Sequence, residues 1–157
     1  MGNKSKKKTK AKTFKVAVEE TKDVKSCYQS GLKALGGHSG KIELSDTTQC
    51  EGSVNIDDCT QAKYPTANRW DYAFAYKAQV YFVEVHTAST GEVRTVLRKL
   101  RWLKDWLNEQ APEISKMKAK DRAFFWVASN GYHILKNSSQ YRSVIAIGLN
   151  PIPRLKM

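Results

Sequence analysis

The chain has 157 residues, with 27 lysines and arginines against 15 aspartates and glutamates, and a formal net charge of +12 at pH 7. A hydrophobic content of 41% and an aromatic content of 10% exclude an intrinsically disordered chain, and the length is typical of one domain with its own core. Since no stretch approaches 18 apolar residues and no apolar run follows the charged N-terminus, we expect neither a membrane-spanning helix nor a secretory signal.

The first 15 residues contain seven lysines and no acidic residue. Because like charges at this density repel one another, residues 1–15 are predicted to be a basic disordered tail. Lys6, Lys7, Lys8 and Lys10 are candidates for contacts with the phosphates of nucleic acid. The same cluster is also typical of a nuclear import signal or of a merely solubilising tail.

Residues 16–157 are predicted to form a single α/β domain. Apolar residues three and four positions apart predict a first helix over residues 22–35, and Gly36-Gly37 would end it. A short strand is predicted at residues 41–44. A second, weak strand is predicted around Val54, within a long polar loop.

Two aromatic and β-branched runs, residues 70–76 and 79–87, predict a β-hairpin that turns at Lys77-Ala78. With a two-residue turn, the numbers of directly paired residues sum to 155. Neither turn residue favours a primed turn, so the type of turn stays open.

The sequence Ser89-Thr90-Gly91-Glu92 has the spacing of a capping box. An apolar stripe over residues 93–107 follows it and predicts a helix that ends near Gln110. Three later apolar runs predict strands, at residues 123–128, 132–135 and 144–149. The order of helix, strands, helix and strand predicts an α/β fold in which helices flank a mixed sheet.

Two carboxylates face each other in the predicted hairpin. The register places Asp71 opposite Glu84 and Arg69 opposite His86, and alternation along the strand puts Glu84 and His86 on one face. Facing carboxylates repel unless they share a proton, a nearby base or a divalent cation. Oxygen ligands on rigid strands suit Mg²⁺ or Mn²⁺, and the alternative is that one carboxylate pairs with Arg69 or another base.

Asp71, a hairpin turn, Val83-Glu84-Val85-His86-Thr87 and a helix together resemble the PD-(D/E)xK nuclease superfamily. In that family an Asp begins one strand and Glu-x-Lys lies on the next. The predicted element order over about residues 20–130 is similar to its restriction-endonuclease-like αβββαβ core. The resemblance implies that Asp71 and Glu84 bind Mg²⁺ or Mn²⁺, and that residues 16–157 form a nuclease-like domain that hydrolyses phosphodiester bonds.

The sequence departs from the family pattern at His86, which stands where the family has Lys. A histidine could act as a general base near neutral pH or as a metal ligand, or it could mark a domain that has lost hydrolysis. The family tolerates a lysine from another element, for which Lys41 and Lys77 are the candidates. A first-helix glutamate, Glu19 or Glu20, would complete the metal site.

The first hypothesis is therefore a metal-dependent nuclease, with DNA favoured over RNA as substrate. The alternative is a catalytically inactive nuclease-like domain that serves as a basic nucleic-acid-binding or assembly module. Candidate phosphate contacts in the domain are Arg69, Arg94, Arg98 and Arg101. Nucleases of this size often need a second copy to cut both strands, so a homodimer is the protein partner to test.

The three cysteines are few and odd in number, which fits a reducing compartment better than a disulfide framework. We therefore expect an intracellular protein, in the cytoplasm or, in a eukaryote, the nucleus. Cys27, His38, Cys50 and Cys59 lack the spacing of a zinc site, so structural zinc is not expected. Trp102 and Trp106 lie four apart and are predicted to extend the core.

Overall fold

A computed structural model describes residues 12–157, which form five α-helices, seven strands and four short 3₁₀ segments. The helices are α1 (Phe14–Glu19), α2 (Ile56–Thr60), α3 (Val93–Glu109), α4 (Pro112–Lys116) and α5 (Ser139–Ala146). The strands are β1 (Gln29–Ser30), β2 (Ile42–Glu43), β3 (Cys50–Asn55), β4 (Tyr72–Tyr76), β5 (Gln79–Ser89), β6 (Phe124–His133) and β7 (Leu155–Lys156). The 3₁₀ segments are Lys22–Val24, Lys33–Lys41, Thr47–Gln49 and Thr90–Glu92.

The main sheet has five strands in the order β1-β3-β4-β5-β6. The first four strands pair with one another in antiparallel fashion, whereas β6 is parallel to β5. A parallel neighbour requires a crossover connection, which here contains α3 and α4. Strands β2 and β7 form a separate two-stranded parallel sheet.

The main sheet is covered on both faces, as the mixed α/β prediction requires. On one face, Ala73, Val80 and Phe82 join a buried cluster with Val96 and Leu103 of α3. On the other face, alternate residues of the same strands form a second cluster with the 3₁₀ segment Lys33–Lys41 and the small sheet. Its members include Phe74, Val83, Val127, Leu35, Ile42 and Leu155. The central strands are therefore apolar on both sides.

The predicted hairpin is confirmed, and so is its register over residues 72–83. Tyr72 pairs with Val83 and Tyr76 with Gln79, so paired numbers sum to 155. Lys77 and Ala78 have φ values of 49° and 62°. Positive φ at both central residues is what a type I′ turn requires, and this turn matches the twist of the strands that it joins. The buried faces of β4 and β5 therefore determine the turn against the preferences of its own residues.

The predicted second helix and the strand after it are also confirmed. Helix α3 ends at Glu109, and β6 continues from the apolar run as far as His133. The capping box does not form, because Ser89 makes no side-chain cap and Glu92 contacts His86 instead. Within residues 12–157 no helix has the length and apolar character needed to cross a membrane.

The predicted first helix over residues 22–35 is wrong. This segment contains the 3₁₀ segment Lys22–Val24 and the edge strand β1, which pairs with β3. Val24 and Leu35 are buried by separate short elements rather than by one helical face, and apolar spacing alone cannot distinguish the two arrangements. The strand predicted around Val54 is β3, an interior strand of the sheet, and α2 begins directly after it.

The predicted last strand at residues 144–149 is also wrong, since α5 extends to Ala146. The Ser138 side chain accepts a hydrogen bond from the Tyr141 N–H and caps this helix. Val144 and Leu149 are buried, whereas Ile145 and Ile147 are exposed. The apolar run is thus a helix end with two uncovered isoleucines.

Two of the three cysteines form a disulfide, contrary to the expectation from their number. Cys27 is bonded to Cys59 across a sequence separation of 32 residues, and Cys50 is free. The bond ties the segment before β1 to α2. The pairing could not be read from the count of cysteines, because it depends on the contact between these two segments.

Residues 13–15, which were predicted to belong to the basic tail, contribute to the folded domain. Lys6, Lys7, Lys8 and Lys10 lie outside the residues that the structure describes, so their contacts with nucleic acid stay a prediction. Thr13 caps α1 through its side chain, and the Phe14 ring is fully buried. The N-terminus of α1 is thus part of the folded domain.

Replacing Phe14 with Ala should lower the free energy of unfolding by about 3–5 kcal/mol, because it removes a fully buried ring. Val16→Ala on the same helix should change it by less than about 0.5 kcal/mol, because Val16 is exposed. Urea unfolding of both variants measures the difference. Equal stability of the two variants would mean that Phe14 is not part of the core.

Candidate active site

The hairpin brings Asp71 and Glu84 together, and the backbone orients both carboxylates. Asp71 lies just before β4, and Glu84 lies within β5 on the face covered by α3. The Asp71 N–H donates to Glu84 Oε2 at 3.1 Å, and the Val85 N–H donates to Asp71 Oδ2 at 3.1 Å. Each carboxylate is thus held through one oxygen by the strand that carries the other.

The second oxygen of each carboxylate contacts Lys99 of α3. Lys99 Nζ donates to Asp71 Oδ1 at 3.3 Å and also to Glu84 Oε1. Facing carboxylates need a compensating cation, and this ammonium is the one that the structure supplies. Arg69, the base that was considered for this role, does not fill it.

The site is buried, and burial and the charges within it together shift its pKa values. Glu84 has no exposed surface, and burial together with the charge of Asp71 raises its pKa against the opposing effects of His86 and Lys99. Burial also raises the pKa of Asp71, although Lys99 and the Val85 N–H oppose it. Burial alone would lower the pKa of Lys99, but the two carboxylates outweigh it and the net shift is upward. All three shifts favour the protonated forms.

His86 joins the same cluster from β5. Its Nδ1 lies 3.5 Å from Glu84 Oε1, and its Nε2 lies 2.7 Å from Glu92 Oε2. Glu84 raises the pKa of His86 most and Glu92 adds to the effect, whereas burial opposes both. The Trp126 indole N–H donates to the His86 carbonyl at 3.0 Å and fixes the backbone there.

Arg69 does not face His86, and that part of the predicted register is wrong. The ladder between β4 and β5 ends at the pair Tyr72 and Val83. Arg69 Nε instead donates to Asp57 Oδ1 at 2.8 Å. The Asp57 N–H in turn donates to the Asp71 carbonyl at 3.4 Å, so Arg69 supports the backbone of the site from outside.

The two lysines proposed to replace the motif lysine do not reach the carboxylates. Lys41 Nζ contacts the Ala128 carbonyl at 3.4 Å, and Lys77 lies over the Tyr76 ring. Of the glutamates considered, Glu20 pairs with Lys12, and neither it nor Glu19 contacts Asp71 or Glu84 among the described residues.

Lys99 was not among the site residues predicted from the sequence. A signal was present, because Lys99 lies between Val96 and Leu100 on the edge of the buried stripe. Its side chain is only 14% exposed. A lysine at such a position usually has an acidic partner, and this lysine has two.

Arg94, Arg98 and Arg101 are exposed along α3, and none of them forms an ion pair within residues 12–157. Successive residues are about 100° apart around a helix, so Arg98 projects about 100° away from Lys99, on the exposed side of α3. Trp102 and Trp106 stack with centroids 5.8 Å apart, and the Trp106 N–H donates to Asp23. Trp106 is buried and Trp102 packs on the core, as predicted.

The site offers a cation two carboxylate oxygens rather than a full set of protein ligands. No group of three or more His, Cys, Asp or Glu residues in the described part of the chain is arranged to hold a metal ion. Asp71 Oδ1 and Glu84 Oε1 nevertheless converge on one cationic group. Magnesium is commonly held by one or two carboxylates, with waters and substrate phosphates as its remaining ligands, so the donor set fits it.

Comparison of the chain with protein-family models, curated proteins and solved structures gives no match. The roles assigned to these residues therefore rest on their own geometry and chemistry.

The protonation of His86 gives a pH test of this cluster. Because the pKa of His86 is raised in the fold, its contribution to stability is present below the ordinary histidine pKa and is lost as the pH rises through the raised value. Glu84→Gln should lower the pKa of His86, and Glu92→Gln should lower it by less. The buried carboxylate acts through a lower dielectric than the half-exposed one, which accounts for this order.

An NMR titration of the His86 ring measures these shifts, with Glu109→Gln on the exposed end of α3 as the control. The control variant should titrate like the wild type. A His86 pKa that is unchanged by Glu84→Gln would contradict the contact.

Proposed function

We propose that this protein is a metal-dependent phosphodiester hydrolase that acts on nucleic acid through Asp71, Glu84 and Lys99. The observation that carries the proposal is the convergence of two carboxylates, from the paired strands of one hairpin, on a lysine of the following helix. Two acids and a lysine at one site are the residue types of the PD-(D/E)xK motif. Here Lys99 would take the part of the motif lysine that His86 replaces in sequence.

The order of elements supports a restriction-endonuclease-like arrangement. Helix α1 precedes β3, β4 and β5, which are antiparallel neighbours in the sheet, although β1 and β2 lie between α1 and β3 and α2 lies between β3 and β4. Helix α3 then leads to β6, which lies parallel to β5. This order is similar to the αβββαβ core of the superfamily, and Asp71 just before β4 and Glu84 within β5 correspond to its two motif acids, which supports the proposal.

Asp71 and Glu84 would hold the cation through the two oxygens that now contact Lys99. A bound Mg²⁺ or Mn²⁺ would activate water and screen the charge of the phosphate. The backbone hydrogen bonds to the other two oxygens would keep both carboxylates oriented when the cation replaces Lys99 as their partner. Preorganisation of this kind lowers the cost of assembling the site.

Lys99 and His86 would act on protons and charge beside the acids. The Lys99 ammonium now contacts the two oxygens that would hold the cation, so cation binding would release its N–H groups to donate to a phosphate oxygen or the attacking water. His86 Nε2 lies 2.7 Å from Glu92 Oε2. We assign His86 a positioning role, because both of its ring nitrogens are engaged by carboxylates.

The second candidate function is a nuclease-like domain without catalysis. One observation favours it, because Lys99 already neutralises the two carboxylates where a divalent cation would bind. In this case the positive charge would serve nucleic-acid binding or assembly alone. Metal binding separates the two functions before any cleavage is measured.

Glu84→Gln and Asp71→Asn should each reduce Mg²⁺- or Mn²⁺-dependent cleavage of DNA and RNA substrates by at least about a hundredfold, because each removes an oxygen anion that holds the cation. Lys99→Met should reduce cleavage while Mn²⁺ still binds, because the acids remain. Calorimetric titration with Mn²⁺ and an endonuclease assay, with a chelator as blank, measure the two effects.

Glu109→Gln and Lys104→Met are the matched controls on exposed positions of α3, and both should retain activity. Thermal melting checks that each variant folds. Binding of Mn²⁺ that is unaffected by Glu84→Gln would contradict the metal site. Salt-sensitive DNA binding without metal binding or products would favour the inactive domain.

Removal of Arg98 tests whether the exposed face of α3 contacts phosphates. Arg98→Ala should weaken binding about equally for all sequences and reduce the slope of log K against log salt by about 1, because one fewer counterion is released. The control is Lys33→Ala, which removes an exposed lysine far along the chain from α3. Fluorescence anisotropy over a salt series gives the slopes, and equal slopes would place the bound nucleic acid elsewhere.

A further inference from the structure

A groove with an apolar floor and a basic rim runs along the side of α3 that faces α5. One part, of about 520 Å³, lies between α3 and α5. The other part, of about 440 Å³, continues towards residues 118–124. The two parts share Leu100, Lys104 and Ile147 and form one surface, which we name the α3/α5 groove. Its floor consists of Leu97, Leu100, Phe124, Ala146, Ile147 and Leu149.

The rim of the groove carries an excess of positive charge. Its cationic residues are Arg101, Lys104, Lys118, Lys120 and Arg122, and its acidic residues are Asp105 and Asp121. Five cations against two anions leave three positive charges, and none of the seven forms an ion pair within residues 12–157. Lys104 and Lys118 lie over the Phe124 ring at 5.4 and 5.7 Å, which holds their charges above the floor.

The groove is separate from the candidate active site. At about 100° per residue, Leu97 and Lys99 project roughly 200° apart around α3. Lys99 therefore points to Asp71 and Glu84, whereas Leu97 points towards α5. Ile147 is 52% exposed in the groove. Covering an aliphatic side chain lowers the free energy, so this residue favours a binding partner.

We propose that the α3/α5 groove binds an acidic segment of a partner protein that carries apolar side chains. The rim supplies cations that acidic side chains would neutralise, and the floor supplies aliphatic surface for the apolar ones. Electrostatic complementarity of this kind steers association and sets specificity, while the covered apolar surface supplies affinity.

The floor argues against nucleic acid as the occupant. Single strands are bound by stacking of bases on aromatic rings, and the one ring on this floor, Phe124, is already covered by two lysines. A second copy of the chain is disfavoured by charge. In a symmetric dimer the same patch meets itself, so two rims of like charge would face each other.

Selection of a random linear peptide library displayed on phage against the full chain tests the proposal. Selected peptides should combine Asp or Glu with Leu, Ile or Phe. Ile147→Glu and Lys104→Glu should weaken their binding at least about tenfold, because the first places a charge on the floor and the second reverses a rim charge. Fluorescence polarisation with labelled synthetic peptides measures the affinities.

Two matched controls are available in the chain. Ile145→Glu changes an isoleucine of α5 that is also exposed but does not line the groove, and Lys33→Glu changes a lysine outside it. Both should leave peptide affinity within about twofold, and thermal melting checks folding.

Three results would overturn the proposal. The first is that selected peptides bind the Ile147→Glu variant as tightly as the wild type. The second is that Ile147→Glu abolishes binding of a single-stranded oligonucleotide, which would assign the groove to nucleic acid. The third is a dimer in sedimentation that Ile147→Glu dissociates, which would assign the groove to a second copy.

Discussion

The contact of one lysine with two carboxylates is the constraint on which the candidate site depends. Asp71 and Glu84 face each other across a hairpin, and Glu84 is fully buried, so without a cation their repulsion would act through a low dielectric. Lys99 removes that repulsion only if α3 packs on the sheet in the position that brings its ammonium group to both carboxylates. Loss of one partner from a buried ion pair costs about 3–5 kcal/mol, so the packing of α3 and the geometry of the site stabilise each other.

The register of the hairpin is the second requirement. A shift of one residue would move Glu84 to the opposite face of the sheet, away from α3. The type I′ turn at Lys77-Ala78 and the two apolar faces of β4 and β5 exclude that shift. The reciprocal bonds between Asp71 and Glu84, and between Val85 and Asp71, then extend the pairing beyond the last ladder pair. The acids are positioned by the same bonds that complete the hairpin.

The sequence predicts the parts of this arrangement that depend on neighbours in the chain. Alternation and turn length are local, so the pairing of β4 with β5 could be derived, as could the bounds of α3 from its apolar stripe. Lys99 could not, because it contacts Glu84 from 15 residues away and Asp71 from 28. Residues 22–35 and 144–149 were assigned to the wrong elements for a related reason. Their apolar residues fit helical or strand spacing equally well, and only packing decides between them.

Helix α3 serves both surfaces of interest, and this limits how they can influence each other. Lys99 lies on one edge, and Leu97 and Leu100 lie on the edge that forms the groove. The buried residues Val96 and Leu103 between these edges fix the helix to the sheet. A partner that binds equally well to both positions of α3 gives no differential free energy and cannot regulate the site. A partner that binds better when α3 is displaced would separate Lys99 from the two acids, whereas one that prefers the present position of α3 would stabilise that contact. The sign of any coupling between the groove and the site therefore depends on which position of α3 the partner prefers.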